Sequence, residues 1–236
     1  MQQFFIEEKN GDIVHFSSEQ QHQIINVLRY KEGKLVKVVI NQRAFLVRLC
    51  YNGNELFGQV EQELGNIAKN VVINLFPALI KKDKWDFLLM KASEFNADHI
   101  YPLNTTNCVV KISDEDSKKI ERFNKICLEA CEQCKRNDLV QVHSPISLKQ
   151  IKDYPADLMI VAYEKENSTH FINNLNDDFT TINIVIGPEG GFTSKEIDYL
   201  TSIGYLSVTL GNNIFRAESA AIYCLNCLDA YFKMKG

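Results

Sequence analysis

Three strand-like segments in the last third of the chain are apolar at nearly every position. They are DLMIVAYE (157–164), TINIVIG (181–187) and YLSVTLG (205–211). A strand with one face in water alternates apolar and polar residues, whereas a strand without alternation is buried on both faces. Helical stretches fall between these segments, and the last of them runs from about Ala217 to Lys233. Alternating strands and helices predict a parallel sheet that helices cover on both faces.

The same alternation begins near residue 71. VVINLFPAL (71–79) and HIYPL (99–103) have the composition of strands, and DKWDFLLMKASEFN (83–96) has that of a helix. A further helix is expected from Asp114 to about Arg136, because its opening, SDED, places acidic side chains at the positive end of the helix dipole. The rest of the chain is therefore expected to form one α/β domain, 71–236.

Residues 1–70 have a different pattern. Five short segments rich in β-branched and aromatic residues are separated by Gly and Asn, which predicts short strands and turns. One helix is expected from Ser17 to about Arg29, with an apolar stripe of Ile24, Val27 and Leu28. Five strands in so short a stretch suggest a small barrel as a separate domain.

The composition restricts the class of protein and its surroundings. The net charge is −4, and residues 1–70 contain eight basic and eight acidic side chains, so composition alone gives RNA binding no support. No apolar stretch approaches the roughly 20 residues of a membrane helix. The N-terminal sequence MQQFFIEEKNGD lacks the features of a signal peptide. We therefore expect a cytoplasmic protein with no membrane partner.

Two of the cysteine pairs have a spacing that zinc sites use. Cys131 and Cys134 form one C-x-x-C pair, and Cys224 and Cys227 form the other. Both pairs lie in helical stretches without the Gly or Pro of a zinc knuckle, and Cys127, Cys131 and Cys134 share one apolar helix face. Free Cys is commonly a buried small apolar residue. We therefore predict buried thiols and no metal.

The chemistry is expected where the apolar strands end. Ligands of open α/β sheets bind beyond the carboxyl ends of the strands, and three ends here are unusual: VAYE (161–164), IGPEGG (186–191) and LGNNIFRAE (210–218). We call residues 187–191 the glycine loop and residues 210–216 the asparagine loop. A capping box, Thr193 with Glu196, starts a helix directly after the glycine loop.

The glycine loop does not have the sequence of a phosphate-binding loop. It contains Pro188 and Glu189 and matches neither G-x-G-x-x-G nor a Walker motif, which argues against a dehydrogenase. Backbone groups without a Cβ can instead approach a flat ligand, between apolar walls that the asparagine loop would supply. The alternative is that the glycines form only a tight turn between strand and helix.

These two loops carry a resemblance to a known family. IGPEGGFTSKEI followed by LGNNIFRAESAAI resembles the signature of the RsmE family, which are SPOUT-class methyltransferases that methylate N3 of a uridine in 16S ribosomal RNA near the decoding centre. KKDKWDFLLMKASEFNADHIYPL (81–103) is similar to the first helix of that family's C-terminal domain and the following strand. EACEQCKR (129–136) and INVLRYKEG (25–33) also resemble family segments, so the match covers almost the whole chain.

The resemblance implies a fold, a cofactor and partners. Residues 1–70 would form a PUA-like β-barrel that binds RNA, and residues 71–236 a SPOUT α/β domain with a C-terminal trefoil knot. The knot would hold S-adenosylmethionine, and the protein would act as a homodimer on 16S rRNA within the 30S subunit. The residues assigned to the cofactor are Ala162, Tyr163, Ile186, Gly187, Pro188, Glu189, Gly190, Gly191, Leu210, Gly211, Ile214, Phe215, Ala217 and Ala220.

The resemblance also suggests roles in catalysis and in RNA binding. Uridine N3–H is a weak acid, and Arg216 would stabilise the negative charge that develops on a uracil carbonyl oxygen. Glu218 or Glu189 would orient that Arg or accept the proton. The alternative for Arg216 is an ion pair with Glu218 at the helix start. Four further basic residues are candidates for phosphate contacts, although each one alone is more often a solvated surface residue: Arg29, Arg43, Lys91 and Arg136.

Two other functions remain open at this stage. The protein could be a SPOUT methyltransferase that acts on tRNA or on 23S rRNA, since the glycine loop is partly shared by such relatives. It could also be a non-catalytic RNA-binding module, which would bind no S-adenosylmethionine.

Overall fold

The computed structural model of the protein describes residues 1–53, 55–65, 69–112 and 116–234. Backbone proximity divides the chain into two compact units, Met1–Ala68 with Cys131–Asp138, and Lys69–Ala130 with Leu139–Gly236. The sequence pattern indicated a change near residue 70, but it gave no sign that residues 131–138 group with the first unit.

The first unit is built on a six-stranded sheet. Its strands are β1 (Gln3–Phe5), β2 (Lys9–Asn10), β3 (Ile13–His15), β4 (Leu35–Ile40), β5 (Arg43–Asn52) and β6 (Glu55–Gly65). The order across the sheet is β1-β4-β5-β6-β3-β2, and the pairs are antiparallel except for β1 with β4. The inward-facing side chains of these strands form one apolar core, which includes Phe4, Val38 and Leu49. The five expected strands are present, together with the short β2.

The helix of this unit occupies the expected stretch but is not α-helical throughout. Helix α1 spans Ser18–His22 and continues as one π-helical turn, Gln23–Val27. Ser17 caps it, because its side chain accepts the Gln20 N–H and the Gln20 side chain accepts the Ser17 N–H in return. Ile24 is fully buried, but Val27 is 65% exposed, so the predicted apolar stripe is wrong at Val27. The π turn changes the rotation per residue and carries Val27 away from the core.

The second unit contains the predicted parallel sheet. Its strands are β7 (Val72–Pro77), β8 (His99–Ile100), β10 (Gln141–Val142), β12 (Leu158–Ala162), β13 (Thr181–Ile186) and β14 (Leu206–Val208), and their order is β10-β8-β7-β13-β12-β14 with every pair parallel. A small parallel pair, β9 (Leu103–Asn104) with β11 (Ile146–Ser147), lies apart from it. Strand β13 is buried from Ile182 to Ile186, as its apolar sequence predicted.

The helices of the second unit fall between these strands. They are α2 (Lys82–Glu94), α3 (Ser117–Cys134), α4 (Ser194–Ser202) and α5 (Ala217–Lys233). The last turn of α3, from Cys131 on, belongs to the first unit. The Thr193–Glu196 capping box at the start of α4 is confirmed, and so are the bounds of the last helix. The expected acidic opening of α3 at residues 113–115 lies outside the described residues. In the described part of the chain, no helix is long and apolar enough to cross a membrane.

The cysteines of the two C-x-x-C pairs and Cys127 lie in helices α3 and α5. Cys127, Cys131 and Cys224 are fully buried, whereas Cys134 and Cys227 are partly buried. Burial raises the pKa of the Cys224 thiol well above its usual range. The prediction of buried thiols therefore holds for three of the C-x-x-C and helix-face cysteines. No group of three or more potential metal-binding side chains occurs among the described residues.

Candidate active site

A cavity lies at the carboxyl ends of β12, β13 and β14. It is lined by Ala162, Tyr163, Glu164, Ile186, Gly187, Pro188, Gly191, Thr209, Leu210, Gly211, Asn212, Asn213, Ile214, Phe215, Ala217 and Ala220. The structure thus brings the three unusual strand ends together, as expected for a parallel sheet. All the residues assigned to the cofactor line this cavity except Glu189 and Gly190, which lie in the glycine loop outside its lining.

The glycine loop is a turn that only glycine fits without strain at its end. The Gly191 N–H donates to the carbonyl oxygen of Pro188 at 2.9 Å, and Gly191 has a φ of +68°, in the left-handed region. A Cβ on Gly191 would lie 2.8 Å from Oε1 of Glu164, so the carboxylate packs directly on the loop backbone. The loop therefore has both the conformation and the bare backbone that the sequence suggested.

Asn107 fastens the glycine loop from a distant part of the chain. Its side-chain amide donates to the carbonyl oxygens of Gly190 at 3.2 Å and of Gly191 at 3.0 Å. These two bonds fix the orientation of the loop carbonyls. The residue was not predicted, because a contact between positions more than 80 residues apart leaves no local sequence signal.

Glu196 anchors the same region from inside. Its carboxylate accepts the N–H of Thr106 at 2.8 Å and the N–H of Thr193 at 2.8 Å, and it is 9% exposed. Burial alone would raise the pKa of Glu196, but the combined hydrogen bonds from Thr106 and Thr193 lower it below its ordinary value. The capping residue predicted at the start of α4 thus also holds the segment that carries Asn107.

The asparagine loop forms the opposite wall. Gly211 lines the cavity with a φ of +129°, and its N–H donates to the hydroxyl of Thr209 at 3.3 Å. Ile214 is 80% exposed, and Phe215 stacks on Tyr223 of α5 with 5.1 Å between ring centroids. An apolar side chain that is largely exposed beside a cavity is available to a ligand.

Arg216 lies between two residues that line the cavity, Phe215 and Ala217, at the N-cap position of α5. Its side chain is exposed. In the parts of the chain that the structure covers, it makes no ion pair, so the alternative of an ion pair with Glu218 is wrong for this structure. Arg216 itself does not line the cavity, but it follows and precedes residues that do, so its exposed side chain is available to a ligand there.

The two candidate catalytic carboxylates face a lysine instead. Nζ of Lys84 lies 3.6 Å from Oε1 of Glu189 and 4.0 Å from Oε1 of Glu218. Neither carboxylate lines the cavity. The hypothesis that one of them orients Arg216 or accepts a proton in the cavity therefore finds no contact in its favour, because both point to the first turn of α2.

The lining fits S-adenosylmethionine in its chemistry. Ile186 and Leu210 provide apolar wall for a flat ring, and the asparagine loop provides amide groups that can bind hydroxyls. Glu164 is the one charged side chain among the residues that line the cavity, and its carboxylate would complement the positive charge of a sulfonium or ammonium group. Glu164 belongs to a strand end that the sequence singled out, but it was absent from the predicted cofactor residues.

The basic residues predicted to contact RNA differ in their availability. The side chain of Arg136 is 6% exposed and pairs with Asp138 at 2.5 Å, so its assignment as an RNA contact is corrected to a structural ion pair of the first unit. Arg43 pairs with Glu63, and Lys91 pairs with Glu94, at the surface. Arg29 is exposed and has a φ of +54°.

Comparison with known proteins defines the class first. Residues 68–229 match the family described as the RNA methyltransferase domain, which covers the parallel sheet, the glycine loop and the cavity. The class of protein that the fold and the site define is therefore the RNA methyltransferases.

Relatives over the full length narrow this class. The chain is 33% identical to ribosomal RNA small subunit methyltransferase E of Mesomycoplasma hyopneumoniae over 95% of this chain and 97% of the relative, and 30% identical to the Bacillus subtilis protein of the same name over 97% and 96%. A methyltransferase of Legionella pneumophila, whose structure contains bound SAM, is 26% identical with a TM-score of 0.86, over 97% of both chains. The chain belongs to the ribosomal RNA small subunit methyltransferase E family.

Proposed function

We propose that the protein transfers a methyl group from S-adenosylmethionine to N3 of a uridine in 16S rRNA. The observation that carries this proposal is the cavity at the ends of β12, β13 and β14, where the predicted cofactor residues meet beside Arg216. The family supports the substrate class, and the fit of the lining to a cationic nucleoside supports the cofactor.

Arg216 is assigned to the stabilisation of the substrate anion. The bound cofactor supplies a methyl group on a positively charged sulfur. The uracil ring develops negative charge on its carbonyl oxygens as N3 loses its proton, and a guanidinium at the cavity edge can donate hydrogen bonds to one of them. Arg216 itself is not the base, because a guanidinium remains protonated. Glu189 and Glu218 are not assigned as proton acceptors, since both contact Lys84 behind the cavity.

The first unit is proposed to bind RNA as a PUA-like barrel. Exposed Arg29 and Arg43 are the basic residues that we assign to phosphate contacts there, and Lys91 is assigned to one on the second unit. An ion pair at the surface is weak, so a phosphate can replace Glu63 or Glu94 as the partner. Arg136 is left out because it is buried.

Three further properties follow from the resemblance and belong to the same proposal. The late loops of the second unit are proposed to form a trefoil knot. The protein is proposed to act as a homodimer, and its substrate is the 30S subunit in the cytoplasm.

Methylation assays with ribosomal subunits and tRNA test the proposal. The full-length protein and radiolabelled S-adenosylmethionine are incubated with 30S subunits, 50S subunits and tRNA, and the modified nucleoside is identified by mass spectrometry. We expect N3-methyluridine in 16S rRNA alone. Label in 23S rRNA or tRNA would instead support another SPOUT methyltransferase, and failure to bind S-adenosylmethionine in calorimetry would support an RNA-binding module.

A further inference from the structure

One lysine contacts both walls of the cavity from behind. Lys84 lies in the first turn of α2, and its ammonium group sits between Glu189 of the glycine loop, at 3.6 Å, and Glu218 of α5, at 4.0 Å. The Lys81 N–H, at the start of α2, donates to the same oxygen of Glu189 at 3.4 Å. Three segments that are far apart in sequence therefore meet at a single side chain.

The cluster is buried enough for its charges to matter. The side chains of Lys84, Glu189 and Glu218 are 26%, 24% and 10% exposed. The second oxygen of Glu218, Oε2, is buried without a hydrogen-bond partner among the described residues. A carboxylate in such a place needs a nearby cation, and in the same described ranges Lys84 is the one within 4.0 Å.

The position of Lys84 in α2 also indicates that its role is the contact between segments. A cation in the first turn is unfavourable because the N-terminus of a helix carries partial positive charge. The two carboxylates offset this penalty. Glu218 is itself in the first turn of α5, where an acidic side chain is favoured. The arrangement therefore serves the contact between segments rather than the stability of α2 alone.

Other faces of the same two segments form the cavity. Pro188 and Gly191 line it from the glycine loop, and Ala217 and Ala220 line it from α5. Residues three apart share a helix face, whereas Glu218 is turned about 100° from Ala217 and faces α2. The spacing between the two walls thus depends on what holds Glu189 and Glu218 near each other.

We propose that Lys84 is a positioning residue of the cofactor site: it neutralises Glu189 and Glu218 and thereby holds the glycine loop against the first turn of α5. This inference rests on the proposed function, since it assumes that S-adenosylmethionine binds in the cavity. Without Lys84 the two carboxylates repel each other, and the walls separate.

Calorimetry with S-adenosylmethionine on the full-length protein tests the inference. We expect Lys84→Met to weaken binding by about 10-fold, because a partly buried charge pair is broken. Lys84→Arg should stay within about 3-fold of the wild type, since the charge is kept. Lys82→Met is the matched control: Lys82 is an exposed neighbour in the same first turn, and its loss should leave the affinity unchanged.

A charge-free variant separates positioning from a general effect on folding. Lys84→Met combined with Glu189→Gln and Glu218→Gln removes the repulsion as well as the cation, so its affinity should recover toward that of the wild type. Turnover at saturating cofactor should fall less than affinity in Lys84→Met, because the reacting groups are unchanged. Equal affinity of Lys84→Met and wild type, or a triple variant as weak as Lys84→Met, would overturn the inference. A wild type that binds no S-adenosylmethionine would overturn the proposed function instead.

Discussion

The two halves of the parallel sheet end differently. At the carboxyl ends of β12, β13 and β14 the chain enters loops that contain glycine and asparagine, and a cavity lies between them. Beside β7, β8 and β10, aromatic rings instead pack side by side on one face of the sheet. The Tyr101 ring stacks on His143 and on Phe76. Its centroid lies 4.2 Å from the centroid of His143 and 4.8 Å from that of Phe76.

This difference shows what the topology decides and what individual residues decide. All these strands are parallel, so their carboxyl ends, where α/β folds carry ligand sites, lie along one edge of the sheet. Glycine after β13 leaves backbone exposed, whereas Tyr101 after β8 and His143 after β10 carry rings that stack on one another. The site is therefore located by the residues that follow each strand, so substitutions beside the cavity should change ligand binding and substitutions on the other half should not.

The largest effect is expected from Gly191→Val, which should abolish S-adenosylmethionine binding. Valine is strained at a φ of +68°, so the glycine loop must change its backbone conformation. The new Cβ would also displace Glu164 from the loop. Calorimetry of the full-length protein measures the loss.

Gly204→Val is the control for strain alone. Gly204 has a φ of +99° in the turn after α4 and does not line the cavity. Both variants should lose thermal stability, but only Gly191→Val should lose the cofactor. Normal affinity in a folded Gly191→Val would mean that the glycine loop is merely a turn.

Arg216→Ala should lower turnover by on the order of 10²–10³, the size seen when one donor to a developing anion is removed. The affinity for S-adenosylmethionine should change little, because the contact is made to the uracil in the transition state. Arg216→Lys should restore activity only in part, since a point charge cannot reproduce the planar guanidinium. Initial rates on 30S subunits at saturating cofactor provide the measurement.

The pH dependence of turnover in Arg216→Ala tests what Arg216 contributes to the reaction. If the loss in Arg216→Ala shrinks as the pH of the assay rises, the residue assists deprotonation of N3, because the anion then forms without help. A loss of turnover that does not change with pH indicates that Arg216 positions the uracil ring. Normal turnover at every pH would remove Arg216 from the mechanism.

Asn107→Ala should weaken cofactor binding by about 3- to 5-fold, because two hydrogen bonds of an exposed side chain contribute modestly. The amide holds the carbonyl groups of Gly190 and Gly191, so its loss loosens one wall without removing it. Val109→Ala, an exposed position two residues away, is the matched control. An unchanged affinity in Asn107→Ala would show that the glycine loop keeps its shape without this tether.

Much of the second unit could be predicted from local pattern. The apolar strands, the Thr193–Glu196 capping box and the start of α5 at Ala217 were readable because each depends on neighbouring residues. Arg136 was misassigned, because nothing near it in sequence shows that its backbone carbonyl accepts a hydrogen bond from Gln3 in the first unit. That a residue is basic does not show whether its side chain is buried or exposed.

Prediction of the site was limited in the same way, because contacts between distant segments leave no local signal in the sequence. The three strand ends were found because a parallel sheet brings its carboxyl ends to one edge. Lys84 and Asn107 were missed, since each reaches the glycine loop from a segment 80 or more residues earlier. The pairing of Arg216 with Glu218 was suggested by spacing on one helix. In the structure, Glu218 instead contacts Lys84 of another helix.

The smallest effect is expected on the half of the sheet that carries the stacked rings. Nε2 of His143 lies 3.1 Å from Nδ1 of His99, and burial, followed by the nearby His99, lowers the pKa of His143 to about 4. The unfolded chain takes up this proton near pH 6.5, whereas the folded chain does so only near pH 4. The contribution to stability is therefore complete above pH 6.5 and is lost as the pH falls from there toward 4.

His143→Phe keeps a ring on Tyr101 but removes the titrating group. Between pH 7.5 and pH 5 the free energy of unfolding in urea should fall less in this variant than in the wild type, by on the order of 1 kcal/mol once partial exposure is taken into account. His22→Gln, at an exposed site of the first unit, should behave like the wild type. S-adenosylmethionine affinity should be unchanged in both variants, because neither His143 nor His22 lines the cavity. A clear loss of affinity in His143→Phe would show that the two halves of the sheet are coupled and that the cavity is not confined to the ends of β12, β13 and β14.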